Sequence, residues 1–221
     1  MSDVTPTTTQ PLRSLVTGGA GFLGRHLVDA LRARGDAVTV FDVAGEPWRG
    51  DVAFVRGDLC DPAAVRAAIA GHDAVFHSAS LVHTKQSRGD LVEAVNVGGT
   101  RNVLAACRAE GVRRLVYVSS ASVVYAGQDV RAGDESLPYP RRFPALYAET
   151  KARAEGEVLA AHGAELQTVS IRPHVVFGPG DTRFLPAILS RARSGKLRFG
   201  VGDPRKLSDF TYVDNLVDAL L

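Results

Sequence analysis

From Leu12 onward, short runs rich in β-branched and apolar residues alternate with longer stretches in which apolar residues recur every three or four positions. Residues 12–17 (LRSLVT) predict a strand. Residues 21–34 predict a helix, with Phe22, Leu23, Leu27, Ala30 and Leu31 on one face. Further strands are expected over 37–42, 52–58, 73–79, 113–120 and 166–173, with a short one near 197–200. Helices are expected over 61–71, 93–111, a run carrying Tyr147, 184–195 and 213–221. Asp61 before Pro62 supplies a side-chain cap and a proline at the first helical position. Strand and helix alternating at this spacing means βαβ units and a parallel sheet with helices on both faces. The near-continuous apolar runs VTVF, LVYV and TVSI suit strands buried on both faces. The expected fold class is therefore α/β, a Rossmann-type doubly wound parallel sheet in one domain over residues 12–221. Residues 1–11, polar and threonine-rich, read as a disordered tail and not as a secretory signal.

The turn after the first strand carries the first chemical signal. TGGAGFLG (17–24) places Gly19, Gly21 and Gly24 in a G-x-G-x-x-G pattern between a strand and a helix. Such a turn lets a pyrophosphate approach the backbone and points the helix N-terminus at it. The cofactor-binding set read from it is Gly18, Gly21, Phe22, Leu23 and Gly24. Asp42 ends the second strand about twenty residues on, where a carboxylate can accept hydrogen bonds from the adenosine ribose hydroxyls. It would repel a 2′-phosphate, so NAD is expected in preference to NADP. Asp58 and Leu59, in GDL after the third strand, are expected beside the adenine.

Composition adds mainly exclusions. The 221 residues suffice for a sizeable core, and the net charge of +2 gives no field that would select nucleic acid or an acidic membrane. Cys60 and Cys107 stand far apart with no histidine at ligand spacing, which predicts a reduced, cytoplasmic chain without bound metal. No apolar run is long enough for a membrane span.

ALYAETKARAEG (145–156) sets Tyr147 and Lys151 one helical turn apart on one face. The plain reading is a surface tyrosine beside a surface lysine. The chemical reading is a phenol held by a cation so that it can move a proton near neutral pH. With these residues in place, the chain resembles an extended short-chain dehydrogenase/reductase. The resemblance rests on TGGAGFLG, Asp42, GDL (57–59), HSAS (77–80), VNVGGT (95–100), YVSS (117–120), YAETK (147–151) and RPHVVFGPGD (172–181). Within that group, SSASVVYAG, ESLPY and DFTYVDN (209–215) are most similar to the 3β-hydroxysteroid dehydrogenase branch, including the sterol-4α-carboxylate 3-dehydrogenases.

The resemblance implies that Tyr147 is the general acid/base and that Lys151 both lowers its pKa and orients the nicotinamide ribose. A downward shift of about three units from the free phenol is needed for that role. It also implies a catalytic hydroxyl at the end of the fifth strand. Ser119, Ser120 and Ser122 compete for this role, and the strand end favours Ser120. His77, Ser78 and Ala79 are expected to line the cofactor pocket, Pro173 to lie beside the nicotinamide, and Asn96 to serve helix geometry or a water near Lys151. His83 and His174 have no interpretable partner. The implied function is NAD-dependent interconversion of a secondary alcohol and a ketone on a bulky apolar small molecule, a 3β-hydroxysteroid or sterol.

The alternatives are a long-chain 3-oxoacid reductase, a nucleotide-sugar epimerase or dehydratase that could use Arg183 and Arg198, and a dinucleotide-binding regulator without chemistry. Ala121 and Ser122 stand where the dehydratases carry an acidic pair, and regulators commonly lose the Tyr–Lys pair. The resemblance allows a homodimer. Family members usually run longer, so the usual C-terminal substrate-binding part is expected to be largely absent.

Overall fold

A computed structural model describes residues 11–82, 89–196, 198, 203 and 205–221. The expected tail, His83 and almost all of the strand expected over 197–200 lie outside the described residues. The first strands are β1 (Arg13–Thr17), β2 (Ala37–Asp42) and β3 (Ala53–Arg56), with helix α1 (Phe22–Arg34) between β1 and β2. Helix α2 (Pro62–Ile69), β4 (Ala74–His77), α3 (Gly89–Glu93) and α4 (Gly99–Ala109) follow. Beyond them come β5 (Arg114–Val118), α5 (Leu146–Ala160) and β6 (Gln167–Ile171). The six strands form one sheet in the order β3-β2-β1-β4-β5-β6, with every ladder parallel. The order reverses between β1 and β4, so the carboxyl ends of these two strands flank the crevice where doubly wound sheets bind ligands.

Two apolar layers hold the sheet. On one side Leu15, Phe41, Val75, Leu115 and Tyr117 meet Val65 and Ile69 of α2, Val103 and Cys107 of α4, and Ala154 and Val158 of α5. On the other, Val16, Val40 and Phe76 meet Leu27, Val28 and Leu31 of α1 together with Leu216, Val217 and Leu220. Each fully buried leucine or valine contributes roughly 1.5–3 kcal/mol. Asp61 caps α2 as expected, its Oδ1 accepting from Ala63 N at 2.9 Å and Ala64 N at 3.1 Å.

Two differences from the sequence reading have local causes. The helix expected over 93–111 starts earlier and is not uniform: a π-helical turn, Ala94–Gly98, separates α3 from α4. There Asn96 turns its side chain to the neighbouring chain, Oδ1 accepting from Leu81 N at 2.7 Å and Nδ2 donating to Leu81 O at 3.2 Å. The second difference is a separate two-stranded sheet of β7 (Val175–Phe177) and β8 (Phe210–Tyr212), paired in parallel. Three-residue strands are too short to show an alternation. After β7 comes α6 (Phe184–Arg193), and after β8 comes α7 (Val213–Leu220), which joins the α1 layer. Among the described residues, no helix is long and apolar enough to cross a membrane, and no cluster of side chains suits a metal ion.

Candidate active site

The glycine turn is built by close contacts that only hydrogen atoms permit. Gly18 has φ +69°, and a Cβ there would lie 2.7 Å from the Ala79 Cα. A Cβ on Gly24 would lie 2.2 Å from the Gly18 carbonyl oxygen and 2.6 Å from the Gly19 Cα. Gly21 differs: only the Gly18 oxygen, at 3.2 Å, lies near its missing side chain. It is the N-cap of α1 and gives no side-chain cap, and the helix has no acid in its first turn. The N–H groups of Phe22, Leu23 and Gly24 thus open α1 without a side-chain acceptor, as an anion-binding turn requires. This uncapped cradle fits a dinucleotide pyrophosphate.

Asp42 stands beside this turn and serves it directly. Its Oδ2 accepts from Ala20 N and its Oδ1 from Ala44 N, both at 3.1 Å. A carboxylate so held keeps lone pairs free for a ribose. Asp58 is exposed and holds its own turn, Oδ1 accepting from Cys60 N at 2.9 Å. Leu59 is buried, and its carbonyl accepts from Asn102 Nδ2 at 2.8 Å.

At the end of β4 the His77 side chain turns into the fold. It is buried between β1 and α4, with Nδ1 2.7 Å from Thr17 Oγ1 and Nε2 3.0 Å from Thr100 Oγ1. Burial pushes its pKa down to about 3, so the imidazole is a neutral strut. Ser78 donates to Thr17 O at 2.9 Å, and Ala79 N to Thr17 Oγ1 at 3.3 Å. Thr17 and Thr100 were not singled out in the sequence, where nothing marks a threonine as a partner for a residue 60 positions on.

Tyr147 is half-buried in the first turn of α5. Burial raises its pKa above the ordinary phenol value, and the Ser80 and Ser120 hydroxyls pull it back. Lys151 is wholly buried, and its Nζ donates to the carbonyl of Val118 at the end of β5 and lies 4.1 Å from the Tyr117 ring centroid. Burial brings its pKa down to about 7, against an opposing pull from Glu155. Burial thus works against the permanent charge that the spacing suggested.

The three candidate serines separate clearly. Ser120 Oγ is 2.9 Å from Ser122 Oγ, both half-buried, and Ser120 is the one beside the phenol. Ser119 is buried on the other side, its Oγ beside Glu155 without a hydrogen bond of ordinary geometry. Pro173 lies next to this strand end, its carbonyl accepting from Ala121 N at 2.9 Å. Asn96 also donates to Thr150 Oγ1 at 3.1 Å and so ties the π-turn to α5. His174 is exposed, and His174 Nε2 is 3.9 Å from Asp209.

Glu155 was missed by the sequence reading. It is fully buried and accepts from Arg172 Nη2 at 2.6 Å, Tyr139 OH at 2.6 Å and Ser170 Oγ at 3.0 Å. Its signal was available: an acid four residues after Lys151, on the face that buries Ala148, Ala152 and Val158.

The sheet order, the switch point between β1 and β4 and the uncapped glycine turn define a Rossmann-type nucleotide-binding fold. The profile of the 3-beta hydroxysteroid dehydrogenase/isomerase family matches residues 15–221, and the chain belongs to that family. It is 42% identical over 210 residues to human sterol-4-alpha-carboxylate 3-dehydrogenase, decarboxylating, covering 94% of this chain and 56% of that protein. It is 47% identical over 208 residues to 2-alkyl-3-oxoalkanoate reductase of Stenotrophomonas maltophilia, covering 92% and 62%. The chain thus spans about six tenths of the length of these relatives. Among solved structures it resembles MoeE5 in complex with UDP-glucuronic acid and NAD, with a TM-score of 0.81 and 35% identity over 94% of this chain and 70% of that one.

Proposed function

We propose that this chain is an NAD-dependent oxidoreductase that interconverts a secondary alcohol and a ketone on a bulky apolar small molecule, most simply a 3β-hydroxysteroid or sterol. The observation that carries the reaction is the meeting of Tyr147, Ser80 and Ser120 at the carboxyl end of the sheet, with Lys151 held at Val118 one turn along the same helix. Gly18, Gly21, Phe22, Leu23, Gly24 and Asp42 would hold the dinucleotide. Bound NAD would supply the hydride acceptor. Ser120 steadies the substrate oxygen. In the reducing direction the neutral Tyr147 phenol donates its proton to that oxygen. In the oxidising direction it must first lose the proton, and the Ser80 and Ser120 hydroxyls favour that loss. The two free cysteines support a reducing, cytoplasmic setting.

An apolar substrate is favoured over a nucleotide sugar by α6. Asp181 fills the start of that helix with its own carboxylate, accepting from Arg183 N at 2.7 Å, Phe184 N at 3.0 Å and Leu185 N at 2.8 Å. A diphosphate there would meet a negative charge. Arg198 spends its Nε on Gly195 O at 2.7 Å.

The test is an NADH-absorbance screen of 3β-hydroxysteroids, 3-hydroxyacids and nucleotide sugars. Turnover of the steroids is expected, with a loss of about 10²–10⁴-fold in Tyr147→Phe. Turnover confined to nucleotide sugars, or undiminished in Tyr147→Phe, would overturn the reading.

A further inference from the structure

Lys151 and Glu155 are both charge-bearing and both sealed from water, 1% and 0% exposed, one turn apart on α5. At that spacing their Cβ atoms lie roughly 6 Å apart. Lys151 has no carboxylate partner within ion-pair distance among the described residues; its Nζ bonds to Val118 O and faces the Tyr117 ring. An ammonium so placed has lost its hydration and gained one carbonyl and one π-face, which is poor compensation. The remaining titratable groups around it are His77 from β4, which is neutral, Tyr117 from β5, which burial holds protonated, and Tyr147 and Glu155 from α5 itself. On the neighbouring helices, Glu93 pairs with Arg153 and Arg101 with Glu157, both at the exposed side of α5. Glu155 is therefore the nearest countercharge. It is also anchored from outside α5, by Arg172 beyond β6 and by Tyr139 of the segment between β5 and α5.

We propose that Glu155 is a positioning residue: its buried carboxylate favours the charged form of Lys151 against the burial that opposes it, and Arg172 and Tyr139 set how much of that negative charge the lysine feels. For its catalytic meaning the proposal rests on the reading of Tyr147 as the proton carrier with Lys151 beside it on α5, but not for its electrostatics. Through its hydrogen bond to Glu155, the Tyr139 segment is then linked to the charge state of Lys151.

The full chain contains four lysines, Lys85, Lys151, Lys196 and Lys206. Labelling the lysine ε-carbon gives four NMR signals, and Lys→Arg variants assign them. In the unmodified protein the Lys151 signal is expected to titrate near 7. In Glu155→Gln its midpoint should fall, with proton affinity reduced about tenfold or more, the scale of losing an opposite charge at this separation. The sign is decisive. A merely structural role would loosen α5, hydrate the lysine and raise the midpoint toward its ordinary 10.5. An unchanged or raised midpoint overturns the proposal.

If Glu155→Gln does not fold, Tyr139→Phe removes one hydrogen bond to the carboxylate at an exposed site, 39% accessible. Less of the charge is then neutralised, so the midpoint should rise by less than one unit. A fall or no change overturns the proposal. Failure of the catalytic reading looks different: Tyr147→Phe would turn over normally while the Lys151 midpoint still fell in Glu155→Gln.

Discussion

At the glycine turn a single methyl group on Gly24 would lie 2.2 Å from a backbone oxygen, while along α6 Leu185, Ile188 and Leu189 are 36%, 39% and 49% exposed and no residue of the helix is buried. The nucleotide end of the molecule is fixed by backbone contacts, by Asp42 and by the His77 strut between two threonines. The region after β6 is two three-residue strands and a helix that lies on the surface. The first region carries its geometry within the chain; the second offers apolar surface with little internal constraint. Substitutions should therefore divide sharply between the two.

Gly24→Ala should have the largest effect. The new methyl cannot be accommodated by a side-chain rotation, because what it meets is backbone. The turn must open, at a cost of about 3 kcal/mol, the upper range for overpacking. NAD affinity should fall by at least about 100-fold, because the N–H groups that face the pyrophosphate move with it. Calorimetric titration and urea unfolding check both.

This division also governs what could be read from the chain. The doubly wound parallel sheet and the glycine turn were legible because each rests on local signals: periodicity, glycines at fixed offsets and an acid at a strand end. The Tyr147–Lys151 spacing was legible too, but not its electrostatics. Spacing places two side chains on one helix face and says nothing of the water they lose, and it is burial that raises Tyr147 and brings Lys151 down to about 7. His77 was read as pocket-lining because its position in HSAS fits; its two threonine partners come from other elements and leave no mark in the sequence. Arg172 and Tyr139 meet Glu155 across 17 and 16 residues of chain, a long-range contact with no periodic signature.

His77 gives a pH test of the nucleotide end. Its folded pKa is about 3 against an ordinary 6.5. Between those values the unfolded chain binds a proton that the folded chain refuses, so unfolding free energy falls as pH drops from 6.5 toward 3. The slope from this group approaches about 1.4 kcal/mol per pH unit. Lys151 acts in a separate window, its depressed pKa making stability rise with pH between about 7 and 10.5. In His77→Gln the acid-side slope should flatten while the alkaline-side slope stays. Chemical denaturation at a series of pH values separates the two, and equal acid slopes in both proteins would mean that burial does not hold His77 neutral.

Asp42→Ala should act more gently. The unmodified protein is expected to bind NAD more tightly than NADP, and the variant to narrow that gap by removing the charge that repels a 2′-phosphate. Because Asp42 also holds Ala20 N and Ala44 N, affinity for both cofactors should drop together by a smaller common factor. Calorimetry with each dinucleotide distinguishes the two effects: the ratio reports the repulsion, and the common loss reports the turn. Equal affinities in the unmodified protein would remove Asp42 from the ribose.

The smallest effect should come from the opposite region, and its smallness is the point. Leu189→Ser replaces an apolar side chain that is already half in water, on a helix whose start is capped by Asp181 and whose residues reach neither core layer. Exposed substitutions of this kind stay within about 0.5 kcal/mol. NAD affinity, set at the glycine turn, should not move. A steroid's KM should still rise if the apolar face of α6 meets substrate, since a buried Leu–ligand contact is worth about 1–3 kcal/mol, or roughly 10–200-fold. Loss of stability beyond 1 kcal/mol in this variant would mean that α6 is packed more tightly than its exposure indicates, and the contrast between the two regions would fail.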